Sequence, residues 1–275
     1  MRALPLLLVL IALPVLYAQS AQDLLGEAEQ FVRQGKYKEA FDKAGAALAA
    51  DPKNKTAYRL RALLHEREGR YGDAVKDLDK LVELDPKNPG VFAARGSARF
   101  KAGDIAGSIT DFDAQIALDP KSEISHWQRG ISYYYAGRFA DGKKQFEGYQ
   151  DFDDSDVENA VWRFMCMTRD VGIAKARAAM LKIGEDKRVP MRAIYDMYLD
   201  KLKPDDVIEL ARTKNKDNAD AIHKQLFYAH LYVGIYHELL GDKAKALEHM
   251  EKAVEHRIGH YMWDVARVHR DLLKK

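Results

Sequence analysis

The chain has 275 residues, 31% of them charged and 47% hydrophobic, the balance of a globular protein with enough length to bury a sizeable core. Its 44 Lys and Arg against 42 Asp and Glu give a formal charge of +2, and the cations are interspersed with acids, which excludes a general attraction to nucleic acid. The one cysteine excludes an internal disulfide; Cys166 lies in the apolar stretch 164–167, where a buried, unreactive thiol is expected.

In chain order, Arg2 precedes an apolar run from Leu4 to Leu16, broken by Pro5 and Pro14 and followed by Leu16-Tyr17-Ala18 and polar Gln19. A short positive region, a short apolar core and a small residue at the cut site are the marks of a secretory signal. The run is shorter than the ~20 apolar residues that span a bilayer. Cleavage after Ala18 is expected, with a periplasmic or secreted mature chain; the competing reading is an uncleaved anchor.

Residues 19–156 repeat. Asp51-Pro52, Asp85-Pro86 and Asp119-Pro120 lie 34 residues apart, as do Gly35, Gly69, Gly103 and Gly137. Two positions after each glycine stands a large side chain (Tyr37, Tyr71, Ile105, Phe139), and three further on a small one (Ala40, Ala74, Ser108, Gly142). A fixed period of this length signals stacked supersecondary units. Each unit reads as two helices. In the second, helix A runs from about Thr56 to Glu68, Gly69 supplies the positive φ of a tight stop, helix B runs from about Tyr71 to Leu84, and Asp85-Pro86 ends it. Residues 157–218 keep only traces: a degenerate unit over Asn159 to Ile183 without a stop glycine in register, then two short helices, Met191–Leu199 and Pro204–Arg212. Residues 219–275 hold a long helix, Ala219 to Leu240, a second hairpin partner, and a closing helix from Tyr261 to Leu273. The closing helix is expected to lay Tyr261, Trp263, Val265, Val268 and Leu272 on the last repeat and leave Arg267, Arg270 and Lys274 to solvent.

By these marks the chain resembles the tetratricopeptide-repeat (TPR) family, strongly over Ala21 to Asp156 and again from Val233-Gly234 through Gly241-Asp242, Ala246 and Ala253. The resemblance implies an all-α, right-handed superhelix of helical hairpins that binds protein or peptide partners in a concave groove and is not an enzyme. An exported chain with Tyr232-Val233-Gly234, Gly241-Asp242-Lys243-Ala244-Lys245-Ala246 and His260-Tyr261 is also similar to the NlpI-type bacterial lipoproteins, periplasmic adaptors that present cell-wall hydrolases to a protease. It departs from them after the signal, where Gln19-Ser20-Ala21 offers no cysteine for a lipid anchor.

A further 34-residue register concerns charge. Arg61, Arg95 and Arg129 precede Asp77, Asp111 and Gln145 by sixteen, and in the first unit Glu27 precedes Lys43 with the signs reversed. An ion pair from helix A to helix B is expected in three of the four units; the competing reading is independent, solvated charges.

The stripe on each helix A that the resemblance turns toward the groove is Thr56, Arg59, Leu63 and Glu66 in the second unit, Gly90, Ala93, Ser97 and Phe100 in the third, and Ile124, Trp127, Ile131 and Tyr134 in the fourth. The fourth unit is dense in aromatics, with Tyr133 and Tyr135 beside Trp127 and Tyr134, and aromatics anchor interfaces. The expected binding residues are therefore Arg59, Leu63, Glu66, Phe100, Trp127, Ile131 and Tyr134. The competing reading packs the aromatics on the next unit.

Other signals point away from chemistry. Seven of nine histidines follow residue 220, with His223, His230 and His237 spaced by seven and His249 and His256 likewise. His237-Glu238 continues Leu239-Leu240-Gly241 and forms no His-Glu-x-x-His zinc motif. Packing or surface histidines are expected, with a metal- or proton-responsive role as the alternative. The acidic run from Asp151 to Glu158 lacks the glycine and the final glutamate of a calcium loop. No phosphate-cradling glycine loop or Gly-x-Ser-x-Gly is present. No cofactor and no metal is expected, and a homodimer is compatible with the pattern. The functional expectation is a protein-binding adaptor of the bacterial cell envelope, with a structural subunit of an envelope assembly or secretion complex as the alternative.

Overall fold

The computed structural model describes residues 19–275; the expected signal and its cleavage site, residues 1–18, lie outside the described residues. Among the described residues there are fifteen α-helices and no strands. They pair into seven antiparallel hairpins: α1 Ala21–Arg33 with α2 Tyr37–Ala50, α3 Lys55–Arg67 with α4 Tyr71–Leu84, α5 Pro89–Ala102 with α6 Ile105–Leu118, α7 Trp127–Tyr135 with α8 Phe139–Tyr149, α9 Val157–Val171 with α10 Ile173–Ala178, α11 Met191–Tyr198 with α12 Pro204–Thr213, and α13 Ala219–Leu239 with α14 Lys243–Glu255. A final helix, α15 Tyr261–Leu273, follows. None of these helices is long and apolar enough to cross a membrane.

Six of the seven hairpin stops share one geometry. Gly69 takes φ +74°, its amide donates to the Glu66 carbonyl at 2.9 Å, and the Arg70 amide donates to the His65 carbonyl at 2.9 Å. This is the left-handed closure that glycine adopts without cost and other residues resist. The sixth hairpin uses the same closure with Asp200, at φ +65°, whose amide reaches Met197 while that of Lys201 reaches Asp196. Asp200 thus hides a repeat mark that the sequence pattern does not reveal. In the fifth hairpin the glycine is Gly172, one place late, and its φ +88°, ψ 158° joins α9 to a single short α10 instead of closing a left-handed turn.

Close approach within each hairpin follows a size exchange. A Cβ on Gly96 would lie 2.8 Å from the Phe112 ring, and one on Gly130 would lie 2.6 Å from the Phe146 ring. The glycines let each phenylalanine, sixteen residues on, fill the gap, where the second hairpin uses buried Ala62 and Leu78. Cys166 is fully buried against the same kind of contact beside Gly142, and burial pushes its thiol up to about 12.

The charge register is present as ion pairs. Arg61 meets Asp77 at 2.6 Å, Arg95 meets Asp111 at 2.6 Å, Lys43 meets Glu27 at 2.5 Å, and Arg129 donates to the neutral Gln145 at 2.9 Å. Each arginine from the third unit onward also reaches back to the preceding hairpin: Arg95 to Asp79, Arg129 to Asp113, and Arg163 to Glu147, all at 2.8–3.0 Å. Arg163 keeps the 34-residue spacing into α9 and ties the degenerate unit to the regular ones.

Two expectations are corrected. Helix α7 starts only at Trp127, because Pro120–Ser122 form a 3-10 turn and His126 caps the helix, so Ile124 lies off the helix A stripe and 42% exposed. Helix α15 does more than cap the last repeat. It runs back through the concave side onto the N-terminal hairpins: Tyr261 packs on Phe100 and Trp127 with ring centres 5.2 and 5.3 Å apart, and the Tyr135 hydroxyl lies 2.9 Å from Nδ1 of His269. Arg267 is accordingly not a solvent residue; its guanidinium lies over the Tyr71 ring and donates to the Lys101 carbonyl. Arg270 pairs with Asp271 and Lys274 with Glu251. The largest buried cluster therefore joins residues from Phe100 to Leu273, with two smaller clusters under the N-terminal hairpins.

Candidate binding groove

The expected binding residues divide into two groups. Phe100 and Ile131 are fully buried, and Tyr134 is buried against Trp162, Phe139 and Tyr135. Burial pushes the Tyr134 phenol up to about 12. Trp127 is half-buried, stacked on His260 with its edge to Tyr261. These four are occupied by the chain's own α9 and α15. Tyr134 faces α9 and Trp127 faces the start of α15, so the structure does not bring them together as one ligand-facing pair.

Arg59, Leu63 and Glu66 stand on the part of the groove that α15 does not fill. Leu63 is 60% exposed and Arg59 is exposed, while Glu66 is half-buried and paired with Lys101 at 2.5 Å. Beside Leu63 and Glu66 lies a cavity of about 820 Å³, walled on one side by Tyr37, Arg67 and Tyr71 and on the other by Arg257, Tyr261 and Trp263. The Arg67 guanidinium lies 3.6 Å from the Tyr37 ring centre and Arg257 lies 5.1 Å from that of Trp263. Among the described residues neither arginine has a carboxylate partner; Arg257 donates to the Arg67 carbonyl at 3.3 Å. The acids nearby are taken, Asp264 by the Tyr71 hydroxyl at 2.6 Å and Glu68 by Arg70 at 2.6 Å. Burial, then the bond to Asp264, raises the Tyr71 phenol to about 12 and keeps it a donor. The open groove thus offers apolar wall and uncompensated positive charge. Arg257 and Trp263 escape a sequence reading because they come from 190 residues away along the chain.

The C-terminal histidines face one another across α13 and α14. Nδ1 of His230 lies 2.9 Å from Nδ1 of His249, and Nδ1 of His256 lies 3.2 Å from Nδ1 of His223. Burial, reinforced by His249 and Lys252, drives His230 down to about 3, and burial with His237 and Lys252 drives His249 to about 4. Among the described residues no group of three or more His, Cys, Asp or Glu is placed to hold a metal ion.

The family profile described as Tetratricopeptide repeat matches residues 25–89, the first two hairpins. Solved TPR structures match far more of the chain. A tetratricopeptide repeat protein from Parabacteroides merdae is 14% identical, with 94% of this chain and 100% of that one covered at a TM-score of 0.58. The fold is a TPR solenoid. The C-terminal part of a TPR repeat-containing protein from Cytophaga hutchinsonii is 17% identical, with 88% of this chain and 98% of that one covered at a TM-score of 0.53. MamA from Desulfovibrio magneticus RS-1 is 15% identical, with 71% and 97% covered at a TM-score of 0.54. No curated protein matches the sequence. TPR hairpins stack into an extended concave surface that serves protein–protein interaction.

Proposed function

We propose that the protein is a non-enzymatic adaptor of the bacterial cell envelope that holds an extended, carboxylate-bearing segment of a partner protein in the open N-terminal part of its groove. The observation that carries this reading is the uncovered cavity of about 820 Å³ beside exposed Leu63, with Arg67 and Arg257 on its rim and no acid assigned to them. Leu63 supplies apolar contact, and the two arginines supply charge-assisted hydrogen bonds to a carboxylate. Arg59 and Glu66 extend the same strip along α3 on either side of Leu63. Phe100, Ile131 and Tyr134 serve the packing of the groove floor, and Trp127 seats the start of α15.

The export pattern at residues 1–18 and the similarity to NlpI-type proteins support a periplasmic or secreted location. The residues after Ala18 offer no cysteine for a lipid tether at that point. Fractionation with N-terminal sequencing checks this directly: the mature chain is expected to begin at Gln19 outside the cytoplasmic fraction.

The binding reading is tested by crosslinked capture from envelope extract with wild type, Leu63→Asp, and the pair Arg67→Glu with Arg257→Glu. Capture of the same partner is expected with wild type and loss of it, by at least tenfold, with both variants, while circular dichroism stays helical. If the variants capture the same set in the same amount, the groove is not the binding surface.

A further inference from the structure

A second, smaller cavity, of about 210 Å³, lies where α7, α8, α9, α13 and the start of α15 meet. It lies apart from the peptide groove except at His260, which borders both. Trp127, Trp162, Tyr149 and Tyr228 give it aromatic walls, and Asp156 and Glu158 at the start of α9 give it an acidic side. The segment between α10 and α11 crosses over this end of the molecule, with the Gly184 amide donating to the Asp154 carbonyl at 2.9 Å, and brings Arg188 to the cavity. Arg188 donates to Asp156 at 2.6 Å, to Glu158 at 2.8 Å and to Asp186 at 2.6 Å. Three carboxylates share one guanidinium, so the site is short of positive charge. Burial, and then the charge of Asp156, pushes Glu158 up to about 7, in keeping with that shortage.

Two residues that line this cavity each carry a buried polar atom with no partner within the protein. The atoms are Nε1 of Trp162, a donor, and Oδ1 of Asn159, an acceptor, on residues 2% and 3% exposed. Capping of α9 accounts for Asp156, whose Oδ1 accepts from the Glu158 amide at 3.0 Å, but leaves both of these atoms unexplained. Buried polar groups in folded proteins are almost always paired, so an orphaned donor and an orphaned acceptor on residues lining one cavity call for a partner, water or ligand, from inside it.

We propose that this cavity binds an amine whose ammonium group sits between the aromatic rings and the carboxylates of Asp156 and Glu158 and donates to Asn159. A hydrogen-bond acceptor on the same ligand, such as an amide carbonyl, takes the Trp162 N–H. Aromatic faces attract cations, and the attraction strengthens where water is excluded. An anion is disfavoured, because Arg188 is already engaged by three acids.

Two of the three tryptophans, Trp127 and Trp162, line the cavity, so intrinsic fluorescence reports on it. The full chain is titrated at pH 8 with Nα-acetyl-lysinamide, which carries a side-chain ammonium, and with leucinamide, which carries an α-amine. Their fully acetylated, uncharged counterparts serve as controls. A saturable change with at least one charged probe and none with its control is expected, and the tighter probe names the kind of amine. Glu158→Gln is expected to weaken binding at least tenfold. Should that variant lose its helical signal, Trp127→Leu tests the aromatic wall with the same expected loss. Equal responses to charged and acetylated probes, no response to any probe, or unchanged affinity in a folded variant each overturns the proposal.

Discussion

At the scale of single residues, the arginine register shows how a solenoid uses charge. Asp77 and Asp111 are almost fully buried, which is tolerable because Arg61 and Arg95 neutralise them with two hydrogen bonds each and Arg99 adds a third to Asp111 at 2.9 Å. The pairing within each hairpin is legible in the sequence because both partners keep the same 34-residue period. The second reach of Arg95, Arg129 and Arg163 to the hairpin before rests on Asp79, Asp113 and Glu147, which keep the same 34-residue period, so this register too is carried by the sequence. The histidines carry a pH prediction. His230 and His249 are held at about 3 and about 4, below the ~6.5 of an unfolded histidine. Between those values the unfolded chain binds protons that the folded chain refuses, so their contribution to stability is complete above pH ~6.5 and is lost as pH falls toward 4. His256, Lys252 and Arg212 add to the positive potential at His230, while His237 and Lys252 do so at His249, where Glu248 and Asp205 oppose it. Glu158, raised to about 7, acts in the opposite sense. The check is therefore a difference: the pair His230→Asn with His249→Asn should flatten the fall in melting temperature between pH 7 and pH 4.5 relative to wild type. After discount for partial exposure the difference amounts to about 2 kcal/mol, or roughly 5 °C. Parallel curves for the two proteins would remove the histidines from the account.

At the scale of elements, the hairpins are legible where glycine closes them and obscure where it does not. The second hairpin matches its expected helices to within a residue, α3 over Lys55–Arg67 and α4 over Tyr71–Leu84, because Gly69 and Asp85-Pro86 bound them on both sides. Residues 184–218 form an equally regular closure, but around Asp200, a residue type that favours many other turns. Asp200 occupies the left-handed region at φ +65°, and its carboxylate pairs with Arg177 at 3.3 Å while remaining two-thirds exposed. A residue with a Cβ pays about 1–2 kcal/mol in that conformation, whereas glycine adds unfolded-state freedom worth about 0.4–1 kcal/mol. Asp200→Gly should therefore stabilise the protein slightly, by about 0.5–1 kcal/mol, in a denaturant titration. Destabilisation by that variant would mean that the Arg177 pair matters more than its exposure indicates.

At the scale of the whole molecule, the solenoid is legible and its occupant is not. The repeat pattern defines a concave surface, but no local signal says that α15 returns to it, because the contacts join residues as far apart as Tyr71 and Asp264. The aromatic set at Trp127 to Tyr135 thus reads from sequence as a ligand platform, while the structure uses much of it to seat Tyr261 and His269. Tyr261→Ala removes a ring lodged against Phe100 and Trp127 and should cost about 3–5 kcal/mol, visible as a lower melting temperature. The same contacts have a consequence during synthesis. The N-terminal hairpins leave the ribosome first and can form from neighbouring segments alone, but Phe100, Trp127 and Tyr135 then lack their α15 partners until Tyr261–Leu273 has emerged. The groove is therefore assembled late in synthesis, and until α15 is made the nascent chain displays a sticky aromatic seam that this helix afterwards covers.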